Sequence, residues 1–112
     1  MDVIFHAHHA VVSERLRLRA QRAVERVASR MKRTVDAVVR FEGDGRTRRV
    51  EIVVHAPRHR RLVAQGQGAF FGPALGEAIG RLEAQTRHSK RNLKARARAA
   101  EASVLLLTDP RA

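Results

Sequence analysis

The sequence predicts an α+β fold, a two-layer sandwich in which two helices pack on one face of a four-stranded sheet in the order βαβββα. The prediction rests on segments with a two-residue apolar period, on two segments with a helical period, and on glycine- or proline-containing turns between them. A length of 112 residues fits one domain with one core. We therefore predict a single domain over residues 1–99 and a C-terminal tail over residues 100–112.

The first two predicted elements are a strand and a helix. Residues 2–7 alternate, with Val3 and Phe5 on one side, which is typical of a strand. Ser13 is a candidate N-cap for the helix that follows. The apolar residues after it recur every three or four positions and predict a helix over residues 13–32: Leu16, Ala20, Val24, Val27 and Met31.

The next two elements are predicted to form a β-hairpin. Residues 35–41 and 46–56 both alternate between apolar and other side chains. The segment between them, Glu42-Gly43-Asp44-Gly45, has the residues that favour a tight turn. Pro57 cannot donate to a strand ladder and is predicted to end the second strand.

A short strand and a long helix complete the predicted domain. Residues 62–65 are expected to form the fourth strand and residues 66–68 a glycine-containing loop. Pro73 suits the first turn of a helix, and the apolar spacing predicts that this helix runs from residue 72 to about 99. Residues 103–108 are apolar and look extended.

The charge of the chain indicates the class of partner. Lys and Arg number 23 against 11 Asp and Glu, and the formal net charge is +12. Such an excess repels itself in a compact fold unless a polyanion neutralises it, so we expect a polyanionic partner. No apolar stretch is long enough to cross a membrane, and we expect a cytoplasmic location. The absence of cysteine excludes disulfides and thiolate metal sites.

Basic residues follow helical spacing in both predicted helices. The candidate RNA-binding residues are Arg22, Arg26 and Arg30 on the first helix and Arg81, Arg87, Lys90, Arg91, Lys94 and Arg98 on the second. Only one acid, Glu83, lies between Arg81 and Arg98. Like charges four residues apart destabilise a free helix by about 0.2 to 0.5 kcal/mol per pair. Phosphate binding therefore explains the spaced basic residues of the second helix better than a solvated surface does.

The sequence offers little for catalysis or metal binding. It contains no nucleophile elbow, phosphate-binding loop or paired carboxylates, so we expect neither enzymatic activity nor a cofactor. His6, His8 and His9 lack a carboxylate or thiolate close in sequence, and we expect polar surface groups rather than a metal site. With four Phe and neither Tyr nor Trp, phosphate contacts should outweigh base stacking.

Over residues 1–98 the chain resembles the short ribosome hibernation-promoting factor and ribosome-associated inhibitor A family, also called the sigma-54 modulation protein family. The resemblance is carried by Val3-Ile4-Phe5, by Ser13-Glu14, by the strand at 50–56 and above all by residues 81–94, which begin Arg-Leu-Glu-Ala-Gln. It implies a βαβββα fold that binds rRNA of the small ribosomal subunit where mRNA and tRNA would lie. The idle ribosome would thereby be silenced in a stress response. Family positions that match are Arg81, Arg87, Lys90 and Lys94.

The chain departs from the family pattern just before the second helix. The family usually has an acidic residue and a Tyr where this sequence reads Gly68-Ala69-Phe70-Phe71-Gly72-Pro73. The resemblance implies the short form, without the C-terminal dimerisation domain of the long members. Three other classes remain open. They are a general RNA- or DNA-binding module, a protein interaction module that associates with itself or a partner through Val104, Leu105, Leu106 and Leu107, and a metal-dependent enzyme that uses His6, His8 and His9.

Overall fold

A computed structural model describes residues 2–31, 36–57 and 61–108, with side chains of the last helix described for residues 71–88, 98 and 99. The elements in chain order are β1 (Asp2–His8), α1 (Glu14–Ser29), β2 (Asp36–Asp44), β3 (Thr47–His55), β4 (Leu62–Gly68) and α2 (Phe71–Thr108). The predicted βαβββα order and the α+β class are confirmed. The predicted strand start at Val35 lies outside the described residues.

The four strands form one sheet in the order β1-β2-β3-β4. β1 pairs parallel to β2, and the other two pairings are antiparallel. A parallel pair needs a crossover, which α1 supplies. α2 runs antiparallel to β4, because Arg81 contacts Gln65 while Gln85, further along the helix, contacts Val63. The two helices therefore run parallel to each other across one face of the sheet.

The core lies between this sheet face and the two helices. Alternate residues of the central strands point into it, as their two-residue period predicts: Ala37, Val39 and Phe41 on β2, and Val50, Ile52 and Val54 on β3. Leu75 and Leu82 of α2 are fully buried against them. Thr86 is buried too, and its hydroxyl donates to the Leu82 carbonyl at 2.9 Å, so no polar atom there lacks a partner.

Helix α1 begins where its predicted cap places it. The Ser13 hydroxyl accepts a hydrogen bond from the Leu16 amide at 3.2 Å, which satisfies one of the free amides of the first turn. Val24 and Val27 are buried on the face predicted from the apolar spacing. The last helical residue is Ser29, three residues before the predicted end.

The hairpin turn lies later than the sequence indicated. The predicted turn at residues 42–45 is wrong for Glu42, Gly43 and Asp44, which all belong to β2 and pair with β3. Asp44 pairs with Thr47, so only two residues connect the strands. Gly45 takes a positive φ of 58°, a conformation that glycine adopts without steric cost. The turn is thus as tight as a β-hairpin allows.

The predicted loop at residues 66–68 is wrong as well, because β4 continues to Gly68. Gly66 pairs with Val50, and Gly68 pairs with Arg48. A β-carbon at Gly66 would overlap the Ala74 carbonyl oxygen of α2 and press on the backbone of the next turn. This glycine therefore allows close contact between helix and sheet rather than a turn of the chain.

Helix α2 is longer than predicted. It has 38 residues and ends at Thr108, so the predicted end near residue 99 and the extended interpretation of residues 103–108 are wrong. No Gly or Pro occurs between residues 81 and 109, and residues 95–102 are rich in alanine, the strongest helix former. The helix is about 57 Å long against about 30 Å for a nine-residue strand, so its C-terminal part extends beyond the sheet. The candidate self-association residues 104–107 are on this helix, and their side chains lie outside the described set.

The opposite face of the sheet is covered by none of the described elements. A row of apolar residues crosses it from strand to strand: Ile4, Val38, Val53 and Val63. Polar pairs flank the row, with Glu51 accepting from Gln65 at 2.8 Å and Asp36 lying 2.6 Å from the His55 ring. We call this surface the open face. None of the described helices has both the length and the apolar character needed to cross a bilayer.

Candidate nucleic-acid interface

Helix α1 lines a concave basic surface groove with a volume of about 1010 Å³, which we call the α1 groove. Its lining residues are Arg15, Leu18, Arg19, Arg22, Glu25, Arg26 and Ser29. Arg22 and Arg26, two of the predicted RNA-binding residues, are exposed there, and Arg30 is exposed one turn further along. Four guanidinium groups face one acid, Glu25, whose carboxylate accepts a hydrogen bond from Gln21 at 3.2 Å. The groove is therefore electropositive.

One arginine joins the two helices. Arg19 Nη1 donates to the Gly72 carbonyl at 3.0 Å, and a β-carbon at Gly76 would lie 3.1 Å from Arg19 Nη2. The turn of α2 that contains Gly72 and Gly76 thus faces α1, with an arginine side chain between the helices. Sequence reasoning missed this link, and the signal that could have found it is the four-residue spacing of Gly72, Gly76 and Gly80.

The basic stretch of α2 follows the same side of the helix. Arg87 is exposed and lies seven residues after Gly80 and eleven after Gly76, which is close to two and three whole turns. It therefore lies on the side of α2 that faces α1. The later basic positions 91, 94 and 98 continue with steps of four, three and four. Arg98 is exposed, whereas the side chains of Lys90, Arg91 and Lys94 lie outside the described set.

Arg81 lies elsewhere and has other partners. Its Nη1 donates to the Gln65 carbonyl of β4 at 2.9 Å, and its Nη2 is 3.2 Å from a Glu77 carboxylate oxygen. One turn later Gln85 donates to the Val63 carbonyl of the same strand at 2.6 Å. Both side chains fasten α2 to the edge strand, on the side of the helix away from α1. The structure places Arg22 and Arg26 together in the α1 groove, and helical spacing puts Arg87 on the side of α2 that faces α1, whereas Arg81 is bound to the edge strand.

This placement separates the roles of two arginines that look alike in sequence. We expect Arg81→Gln to lower the melting temperature, because the contact with Gln65 is lost, and to change RNA affinity by less than about threefold. Arg87→Gln should leave the melting temperature nearly unchanged and weaken RNA binding by about tenfold, as loss of a charge-assisted contact does. Thermal unfolding and filter binding of the two purified variants measure both quantities. Equal losses of affinity would contradict the assignment.

The histidines at the end of β1 do not gather into a metal-binding group within the described part of the chain. The rings of His8 and His9 contact each other edge to face, with centroids 4.2 Å apart. His9 has a positive φ of 49°, at the point where the chain leaves the sheet. The strand ends at this point.

The start of α2 presents an exposed aromatic ring beside a packed one. Phe71 contacts the core residue Phe41 edge to face at 5.6 Å, and the Arg48 guanidinium lies 5.8 Å from the centre of the Phe71 ring. Phe70 points outward, with 73% of its surface exposed. Its carbonyl accepts the Ala74 amide at 3.3 Å, so its backbone is part of the helix start. Sequence reasoning noted these residues only as a departure from the family pattern.

A two-layer α+β domain whose helical layer exposes arginines from both helices belongs to the class of basic domains suited to polyanionic partners. The family model described as sigma 54 modulation protein / S30EA ribosomal protein matches residues 3–94. Since this match covers most of the chain, the protein belongs to that family of ribosome-associated proteins. The resemblance found in the sequence is confirmed.

Solved structures have the same fold. The structure of a ribosomal subunit interface protein from Coxiella burnetii superposes with a TM-score of 0.70 at 16% identity, covering 81% of this chain and 99% of that one. The N-terminal domain of Protein Y from Thermus thermophilus gives a TM-score of 0.66 at 20% identity, covering 79% and 98%. A comparison with curated protein sequences finds no match. At these identities the structures establish the shared fold.

Proposed function

We propose that this protein binds rRNA of the small ribosomal subunit through its helical layer and blocks the channel used by mRNA and tRNA. Translation is thereby inhibited, and idle ribosomes are kept in a hibernating state during stress. The observation that carries the proposal is the α1 groove, in which four arginines, among them Arg22 and Arg26, face one acid. Membership of a ribosome-associated family supports the ribosome as the partner. The protein would then act in the cytoplasm.

The distribution of charge favours the helical layer over the open face as the RNA-binding surface. On the open face, acidic side chains lie near basic ones and offset their charge. Arg40, for example, lies 4.0 Å from a Glu51 carboxylate oxygen. On the α1 groove the arginines outnumber the acids four to one. Arginine suits phosphate because its planar fork can donate two parallel hydrogen bonds. A phosphate backbone laid along the helices would meet successive guanidinium groups.

Inhibition by occupancy needs no chemical step. The protein measures 66 × 25 × 17 Å along its principal axes, so it is elongated and slender. The sheet and core supply rigidity, and α2 supplies a long basic side. A rigid body held by phosphate contacts excludes another ligand from the space that it fills, and both affinity and inhibition then depend on shape and charge.

The proposal is tested by measuring binding to purified small subunits, large subunits and a naked RNA duplex over a range of salt concentrations. We expect preference for the small subunit and a steep salt dependence. If six to ten phosphates are neutralised, affinity should fall about a thousandfold or more between 50 and 200 mM salt. Preloading the small subunit with mRNA and tRNA should block binding. Equal binding to the duplex, or undiminished binding to preloaded subunits, would contradict the proposal and favour a general RNA-binding module.

A further inference from the structure

Phe70 is a large apolar side chain that is not packed in the core. It is 73% exposed, whereas the adjacent Phe71 packs against the core. Among the side chains that the structure describes, the exposed large apolar ones are Phe70, Ile4, Val11, Leu18 and Val63, of which Phe70 is the aromatic one. A flat ring on a basic surface is the kind of group on which proteins stack unpaired nucleobases.

The ring is displayed from an ordered position. The Phe70 carbonyl accepts the Ala74 amide at 3.3 Å, which fixes the Phe70 backbone at the first turn of α2. The next residue is held by the contact between the Phe71 and Phe41 rings. Ordering a side chain on a rigid backbone costs less than ordering a loop, so a ligand that contacts Phe70 retains more of its binding free energy.

Two cationic groups contact the residues that follow Phe70 at the start of α2. The Arg48 guanidinium rests over the Phe71 ring, and the Arg19 guanidinium is hydrogen-bonded to the Gly72 carbonyl, two residues beyond Phe70. The first turn of α2 contains no acid that would repel phosphate. A nucleotide whose base lay on Phe70 would therefore have cations available for the phosphates before and after it.

We propose that Phe70 is a stacking site for one unpaired base of the bound RNA, with Arg19 and Arg48 contacting the neighbouring phosphates. The inference rests on the proposed function and adds a specific requirement to it. The target must offer an unpaired nucleotide at the end of the protein where α2 starts. Phosphate contacts along the helices supply most of the affinity, and Phe70 selects single-stranded over fully paired segments.

The composition of the chain provides a direct assay. The sequence contains no Trp and no Tyr, so Phe70→Trp introduces a single indole whose emission reports its surroundings. We expect strong quenching when single-stranded oligoadenylate is added, and little quenching with a blunt RNA duplex of equal length. Ile4→Trp, at an exposed position on the open face, is the matched control and should respond to neither RNA. An indole at position 70 that is not quenched by oligoadenylate, although that variant binds it, would overturn the inference.

Affinity measurements separate stacking from a general apolar contact. Relative to the unmodified protein, Phe70→Ala and Phe70→Leu should bind oligoadenylate and purified small subunits about ten- to a hundredfold more weakly, the range expected for one stacked base. Phe70→Tyr should retain nearly full affinity, and circular dichroism checks that each variant is folded. If Leu served as well as Phe, the contact would be to an apolar protein surface and the inference would be wrong. If the Phe70 variants all bound normally while Arg87→Gln did not, the inference would fail and the proposed function would stand; if the unmodified protein bound no RNA, both would fail.

Discussion

Reversing one arginine on each helix, Arg26→Glu with Arg87→Glu, is expected to weaken binding to the small subunit by about a hundredfold at moderate salt. Two charge-assisted contacts are lost, each worth about 1.5 kcal/mol or more, and two carboxylates then face phosphate. The slope of log affinity against log salt should become shallower by about two, because two fewer counterions are released. Titration of labelled protein with purified subunits at several salt concentrations measures both effects.

The matched control makes the same change in charge on the other side of the protein. Arg40 and Arg49 lie on the open face of β2 and β3, and both are exposed. Replacing these two by Glu lowers the net charge as much and should reduce affinity by less than about tenfold, through long-range attraction alone. Equal losses in the two double variants would show that net charge, not the helical layer, determines binding.

Gly66→Ala is expected to destabilise the protein by about 3 kcal/mol, the upper end of the cost of overpacking. The added methyl group would overlap the Ala74 carbonyl and crowd the Ala78 amide, so α2 would have to move away from β4. Chemical denaturation monitored by circular dichroism measures the loss. The same experiment should show weaker RNA binding only to the extent that α2 shifts relative to α1.

Gly80→Ala is the control for this substitution and should change stability in the opposite direction. A β-carbon at Gly80 would meet no atom within 4 Å, and the position is inside a helix. Replacing glycine by alanine there should stabilise the fold by about 1 kcal/mol. A Gly66→Ala variant as stable as the unmodified protein would show that the helix and the sheet are not in close contact at this point.

Local patterns in the sequence were sufficient to predict the order of elements. The alternation of Val50, Ile52 and Val54 predicts a strand with one buried side. The apolar residues after Ser13 recur with the period of a helix. The sequence predicts a loop at Gly66 because glycine occurs both in turns and at close contacts, and only the position of α2 distinguishes the two. The helical end of α2 was missed because a short apolar run such as residues 104–107 has no period that separates helix from strand.

The same limit applies to the candidate site, because local sequence patterns do not specify which residues come into contact in the fold. Helical spacing grouped Arg81 with Arg87, since both begin the basic stretch of α2. Only the contact with the neighbouring strand shows that Arg81 is bound to a β4 carbonyl. The contact of Arg19 with Gly72 spans 53 positions in sequence, and no local pattern specifies such a pair.

The length of α2 links the shape of the protein to its ligand. The part of α2 beyond the sheet has no strand to pack on, so its helical conformation depends on its own residues. Repulsion between neighbouring positive charges destabilises that conformation. A polyanion bound along this part of α2 neutralises the repulsion. Any ligand that binds the helical form shifts the helix–coil equilibrium toward the helix. If RNA binds along α2 as proposed, we expect occupancy and helicity to rise together, so that the outer part of α2 is stiffer in the complex than in free solution.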